Sequence, residues 1–347
     1  MYLNIHCNAL SVTILHLIFP RRLIQTIMCE HSVMLAHLRL DNKSSAAHFR
    51  RVKTLGSGAF GSVDLCTVEE QKNYAEKGDT VAIKRVKDVY DAEMAKKEAL
   101  VLNKLDHKYI VRYLDNFKDS TGQLCIVMEY CDRGTLEDYL TSCQVKPFPE
   151  FGIWRLVWQF SSALKFLHGQ HPPILHNDLK PANILCKTQP NQFKQGSIAI
   201  KIADFGVCNV LGDFILFVFF LRKNVHHEGK TPSAMYYIAS QISGTICYLA
   251  PEVLREDPHI STSADMWSLG AVLCYIANDR EHLFRTERDV FRWRPQRSPM
   301  RRDFKYPELH HLVLSLLSND KHKRPSAQQV AEDCSKNLNR EKEINGS

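Results

Sequence analysis

Hydrophobic and polar positions fall into two regimes along the chain. Residues 1–48 show no sustained period and no helix-cap signals, so they read as an N-terminal extension without an expected structure. From Phe49 onward short β-branched runs set in. Val63–Val68 and Val81–Val86 read as strands on either side of the polar loop Glu69–Thr80, and Leu124–Tyr130 as a third strand entering the connector Cys131-Asp132-Arg133-Gly134. Between them Asp91–Leu105 reads as a helix. Its Met94, Glu98, Leu102 and Leu105 share one face, which places a carboxylate inside an apolar stripe, where it requires a partner.

Beyond Gly134 the helical period dominates, in Leu136–Leu140, Trp154–His168, Ala264–Ala277 and His310–Leu317, with the short alternating strand Ile198–Ile202 between them. The pattern predicts an α+β chain. A small strand-rich lobe over 49–130 would carry one helix, a larger, mainly helical lobe would run over 134–332, and 333–347 would be a polar tail; no internal repeat is visible.

Composition narrows the functional classes. The chain has 347 residues, 45 Lys+Arg against 38 Asp+Glu, and 44% apolar residues, enough for a packed core. Residues 285–305 hold eight Arg/Lys against three Asp/Glu, so much of the net +7 sits in one stretch and the remainder is near neutral, which argues against a nucleic-acid binder. The 11 cysteines include no C-x-x-C pair, so neither a disulfide framework nor a zinc ribbon is encoded and a reducing compartment is expected. A membrane helix needs roughly 18 to 20 apolar residues, and the run Phe214–Leu221 falls far short. Residues 10–19 lack the flanks of a secretory leader.

Two constellations carry chemistry. The first is Gly56-Ser57-Gly58-Ala59-Phe60-Gly61-Ser62-Val63, where glycines let backbone N–H groups approach phosphate oxygens. A dinucleotide fingerprint would open a helix here; this chain continues as strand and returns as Val81-Ala82-Ile83-Lys84, a glycine-rich hairpin, which disfavours a nucleotide-dependent dehydrogenase. The second is His176-Asn177-Asp178-Leu179-Lys180-Pro181-Ala182-Asn183, followed by Asp204-Phe205-Gly206 and Ala250-Pro251-Glu252. In this order the motifs resemble the eukaryotic protein kinase family, over about Phe49 to Val330, and the catalytic-loop Lys180 with Gly244–Glu252 resembles its serine/threonine branch.

The resemblance implies a two-lobed protein kinase fold, ATP and Mg²⁺ as cofactors, and transfer of the γ-phosphate to Ser/Thr hydroxyls of protein substrates. It implies that Lys84 binds the α/β-phosphates and is held by Glu98, that Asp204 and Asn183 hold the metal, that Asp178 orients the substrate hydroxyl and that Lys180 steadies the moving phosphate. Thr245 would bridge Asp178 and Lys180. Leu55 with the glycine motif, Val63, Ala82, Met128 and Leu185 would enclose the nucleotide, and backbone groups of Glu129 and Cys131 would bond the base. His176, Phe205 and Leu102 are expected in a packed column between the lobes, Asp265 under the catalytic loop, and Arg324 beside Glu252.

Two departures stand out. Asn177 occupies a position where many members carry Arg, and the residue four before Thr245 is Gln241, which cannot be phosphorylated, so a loop-phosphate switch is not expected. The segment around 207–243 is about twice the family's usual length and contains the apolar run; it reads as a partner-binding insertion, a self-docking lid or translated noncoding sequence. The alternative to an active kinase is a pseudokinase or scaffold that binds ATP while this segment blocks the substrate shelf. Ala182, together with Arg285, Arg288, Arg292, Arg294, Arg297, Arg301 and Arg302, points to acidic or neutral substrates. The expected location is the cytoplasm, with the nucleus as a second compartment.

Overall fold

A computed structural model describes residues 45–58, 61–86, 89–143, 148–189, 198–206, 208–210, 246–255, 260–294 and 307–345. The strand-rich lobe is one antiparallel sheet of β1 (Phe49–Gly58), β2 (Gly61–Val68), β3 (Thr80–Val86), β4 (Tyr113–Lys118) and β5 (Leu124–Glu129), in the order β1-β2-β3-β5-β4. Its period of two gives the sheet two apolar faces. Cys66, Val68, Val81, Ile83, Cys125 and Val127 cluster on one face with Phe49 and Phe117, whose rings stack at 5.5 Å. Val86, Leu124, Ile126 and Met128, on the other, join Ala99 and Leu102 of helix α1 (Val89–Lys104) in a core that continues through the second lobe.

That lobe contains α2 (Leu136–Ser142), α3 (Glu150–His168), α4 (Thr262–Ala277), α5 (Glu287–Arg292), α6 (Pro307–Leu316) and α7 (Ala327–Asn345), with two small two-stranded sheets pairing β6 (Ile174–Leu175) to β9 (Asn209–Val210) and β7 (Ile184–Thr188) to β8 (Ile198–Ile202). Thr135 caps α2, its hydroxyl accepting from the Asp138 N–H. Helix α4 is buried continuously from Ala264 to Ala277, as its largely apolar composition, interrupted only by Asp265 and Ser268, requires. No helix among the described residues is long and apolar enough to cross a membrane.

The expected lobes and the α+β class match this architecture. Helix α7 runs across the expected start of the tail at 333 to Asn345, and its Ala327, Val330 and Cys334 form a buried apolar stripe, with the Cys334 thiol 3.2 Å from the Trp154 carbonyl of α3. Strands β1, β4 and β7 were absent from the expected pattern. β1 and β4 both carry register irregularities that break simple alternation.

Candidate active site

Strand pairing turns the glycine motif into a hairpin, with β1 and β2 opposed from Phe49 and Val68 to Gly58 and Gly61. Gly56, Ser57, Gly58, Gly61, Ser62 and Val63 lie near its tip; Ala59 and Phe60 fall outside the described residues. Gly61 has φ +143°, and a Cβ on it would stand 1.9 Å from the Arg85 carbonyl oxygen. A Cβ on Gly56 would meet nothing within 4 Å among the described residues, which leaves its backbone open to a ligand.

β3 sets Lys84 opposite Val63 on one side and Ile126 on the other, facing α1. There its Nζ donates to Glu98 Oε2 at 2.7 Å and Oε1 at 3.0 Å, and to Asp204 Oδ1 at 3.1 Å. The partner required by the carboxylate on the apolar helix face is therefore Lys84. Burial alone would lower the ammonium, yet the two carboxylates raise it above its ordinary value and keep it charged. The carboxylates share it unequally. Burial and the charge of Asp204 push Glu98 up against the pull of Lys84, whereas for Asp204 burial is outweighed by Lys84 and the carboxyl is held below the usual range.

The catalytic loop gathers the second group. Lys180 Nζ donates to Asp178 Oδ2 at 2.8 Å, and Asn183 Nδ2 donates to the same oxygen at 2.7 Å and to the Asp178 carbonyl at 3.0 Å. The other carboxylate oxygen, Oδ1, is buried without a partner among the described residues. The loop is joined to the strand before Asp204 by the Ala203 N–H donating to the Asn183 carbonyl at 3.0 Å and by His176 Nε2 against the Ala203 carbonyl at 2.9 Å. Asp265 accepts from the backbone N–H groups of His176 at 3.0 Å and Asn177 at 2.9 Å, and meets His168 Nε2 at 2.9 Å. Burial would raise its carboxyl, but these bonds hold it below the ordinary range. Asn177 has φ +63° and Asp204 φ +62°, left-handed positions that short polar side chains tolerate better than most. His176 and Phe205 meet edge to face at 4.9 Å and, like Leu102, are fully buried.

The donor set suits Mg²⁺. Asn183 turns its amide nitrogen to Asp178, which directs its amide oxygen elsewhere, and Asp204 adds a carboxylate kept ionised. Hard oxygen donors of that kind, completed by phosphates and water, fit this cation.

Of the residues expected around a base, Ala82 pairs with Met128 and Leu185 bridges to Thr135. The Glu129 N–H donates to the Arg112 carbonyl at 3.0 Å, which leaves its carbonyl as the backbone group available there. Its side chain is a clamp that sequence reasoning missed. The buried carboxylate accepts from Lys187 at 2.8 Å and from the Arg112 N–H at 2.9 Å and pairs with Lys201 at 2.5 Å, and despite burial these partners hold it below its usual range. Cys131 is buried, which pushes its thiol up to about 12 and leaves it inert. Arg324 meets Glu252 through Nη2 at 2.7 Å and packs over Trp267. Thr245 and residues 211–243 of the long segment lie outside the described residues.

A five-stranded sheet with its lysine–glutamate pair, closed over a helical lobe that holds the Asp–Lys–Asn cluster, defines a two-lobed protein kinase domain. The chain belongs to the protein kinase domain family, whose profile matches residues 49–334. It is 30% identical over 226 residues to the serine/threonine-protein kinase Nek5 of Mus musculus, covering 65% of this chain and 30% of that protein. It is 35% identical over 179 residues to the serine/threonine-protein kinase tousled-like 2 of Xenopus tropicalis, covering 51% and 23%. To the serine/threonine-protein kinase nekl-2 of Caenorhabditis elegans it is 29% identical over 302 residues, covering 82% and 73%. The chain thus spans about three tenths of the length of its Nek5 relatives.

Proposed function

We propose that the protein is an active kinase that moves the γ-phosphate of ATP to Ser/Thr hydroxyls of protein substrates. The observation that carries this reading is the Asp178 carboxylate, anchored through Oδ2 by Lys180 and Asn183, with Oδ1 buried and without a partner among the described residues. An oxygen fixed in this way orients a hydroxyl and accepts its proton, while Lys84 and Lys180 bind phosphate oxygens. Mg²⁺, held by Asn183 and Asp204, would neutralise phosphate charge. Glu98 keeps Lys84 aimed. The exposed Arg285, Arg288, Arg292 and Arg294 support a preference for acidic or neutral substrates, and Arg297, Arg301 and Arg302 lie outside the described residues. Nine described cysteines, all unpaired, accord with work in the cytoplasm or nucleus.

The test compares wild type with Asp178→Asn on acidic and basic Ser/Thr peptides. Wild type should favour the acidic peptide, and the variant should lose about a hundredfold or more in turnover while binding Mg·ATP within about twofold. Phosphate incorporation by the variant at wild-type rate would reject Asp178 as the acceptor, and transfer by neither protein, with ATP still bound, would favour the scaffold.

A further inference from the structure

We propose that Asp64 is a positioning residue for the phosphate end of the nucleotide, acting through the backbone from the sheet face turned away from Lys84. This inference rests on the nucleotide reading above. Asp64 lies opposite Ile83 and alternates with Cys66 and Val68, so it belongs to the face carrying the Phe49–Phe117 cluster. It is 2% exposed. A carboxylate among such neighbours needs partners, and it has them on both flanking strands: Arg51 Nε at 2.9 Å and Thr54 Oγ1 at 3.0 Å from β1, and Arg85 Nε at 3.2 Å from β3. Arg51 also donates to the Thr54 hydroxyl.

The position of this cluster in the ladder gives it a consequence. The register of β1 on β2 shifts twice, between Arg51 and Lys53 and between Thr54 and Gly56, and Thr54, directly opposite Asp64, stands between the shifts. The residues left out of register are Val52 and Leu55, 50% and 42% exposed. Bulges re-aim the side chain and backbone that follow them, and Gly56 follows the second one immediately. Arg85 holds the other leg, since its side chain bonds Asp64 while its carbonyl lies where a Cβ on Gly61 would be, and its Nη1 reaches Asp119 at 3.5 Å in the β4–β5 turn. Asp64 thereby fixes both legs of the glycine hairpin against the sheet. Loss of its charge frees the β1 leg, which bears on phosphates, and leaves the base enclosure of Ala82, Met128 and Leu185 as it was.

The experiment measures Kd for ATP, ADP and adenosine by calorimetric titration on the full chain as wild type, Asp64→Asn, Arg51→Met and Arg51→Lys, with KM for ATP and for a peptide alongside. Arg51 is largely exposed, so its variants fold even if Asp64→Asn does not. Asp64→Asn and Arg51→Met should weaken ATP and ADP by about three- to tenfold, with adenosine within about twofold; KM for ATP should rise by the same factor, KM for the peptide should hold, and Arg51→Lys should restore most of the loss. Equal weakening of ATP and adenosine, or no weakening in variants that fold, overturns the proposal while leaving the nucleotide reading in place. A wild type that binds no ATP overturns both.

Discussion

The glycines of the hairpin are not equivalent. Each was read from the sequence as room for phosphate, but the structure gives Gly61 a different burden: its φ of +143° and the Arg85 carbonyl 1.9 Å from any Cβ make it a requirement of the protein's own backbone. Gly56, where a Cβ would meet nothing within 4 Å among the described residues, carries no such burden. Gly61→Ala should therefore destabilise the fold by about 1–3 kcal/mol, whereas Gly56→Ala should leave the melting temperature unchanged and weaken ATP binding. Thermal denaturation and nucleotide titration on the two variants check this; equal losses of stability would refute the distinction. The same scale explains what was legible. Asp178, Lys180 and Asn183 meet within one loop, so spacing alone announces them. The Glu129 clamp joins residues 58 positions apart through Lys187, and nothing local in the sequence marks it.

Among elements, α4 shows how a helix with no chemistry of its own serves the site. From Ala264 to Ala277 its surface is apolar except at Asp265 and Ser268, so it is buried on every side, and burial brings Asp265 under the catalytic-loop backbone. Gly270 is what allows α6 to lie against it. A Cβ there would stand 2.9 Å from Leu316 Cβ and 3.1 Å from Leu317. Helix propensity alone would make Gly270→Ala stabilising by about 1 kcal/mol, but the collision is with a side-chain stem that cannot swing away. Overpacking of this kind costs about 1–3 kcal/mol, so the denaturation midpoint of Gly270→Ala should fall. A rise would mean that α6 yields freely. Strong periods made α1, α3, α4 and β8 readable from sequence. β1 and β4 are not, because bulges interrupt their alternation, nor is α7, whose buried stripe is only one residue wide on a polar helix.

At the scale of the whole molecule, paired carboxylates tie the two lobes to each other and to the loop between them: Lys84 with the part-exposed Asp204, the buried Glu129 with Lys187 and Lys201, and the buried Asp265 beneath the catalytic loop. Asp204, Glu129 and Asp265 are each held below their ordinary values. A carboxyl that is more acidic folded than unfolded binds fewer protons in the folded state, so its stabilisation is complete above the unfolded value and is lost as pH falls through the folded one. Glu98, raised by burial, works in the opposite direction and softens the acid loss. Asp265 isolates the effect, since it is fully buried and its partners are all known. Asp265→Asn should be less stable than wild type above about pH 5, where the wild-type carboxyl is ionised both folded and unfolded. Below the unfolded value of 3.8 the margin should narrow, by up to about 1.4 kcal/mol for each pH unit, as wild type takes up the proton that the variant never needed. Urea denaturation of both proteins at intervals from about pH 7 to 3 measures that margin; one that stays constant to the acid end would show that Asp265 is not held as an ionised carboxylate in the folded protein.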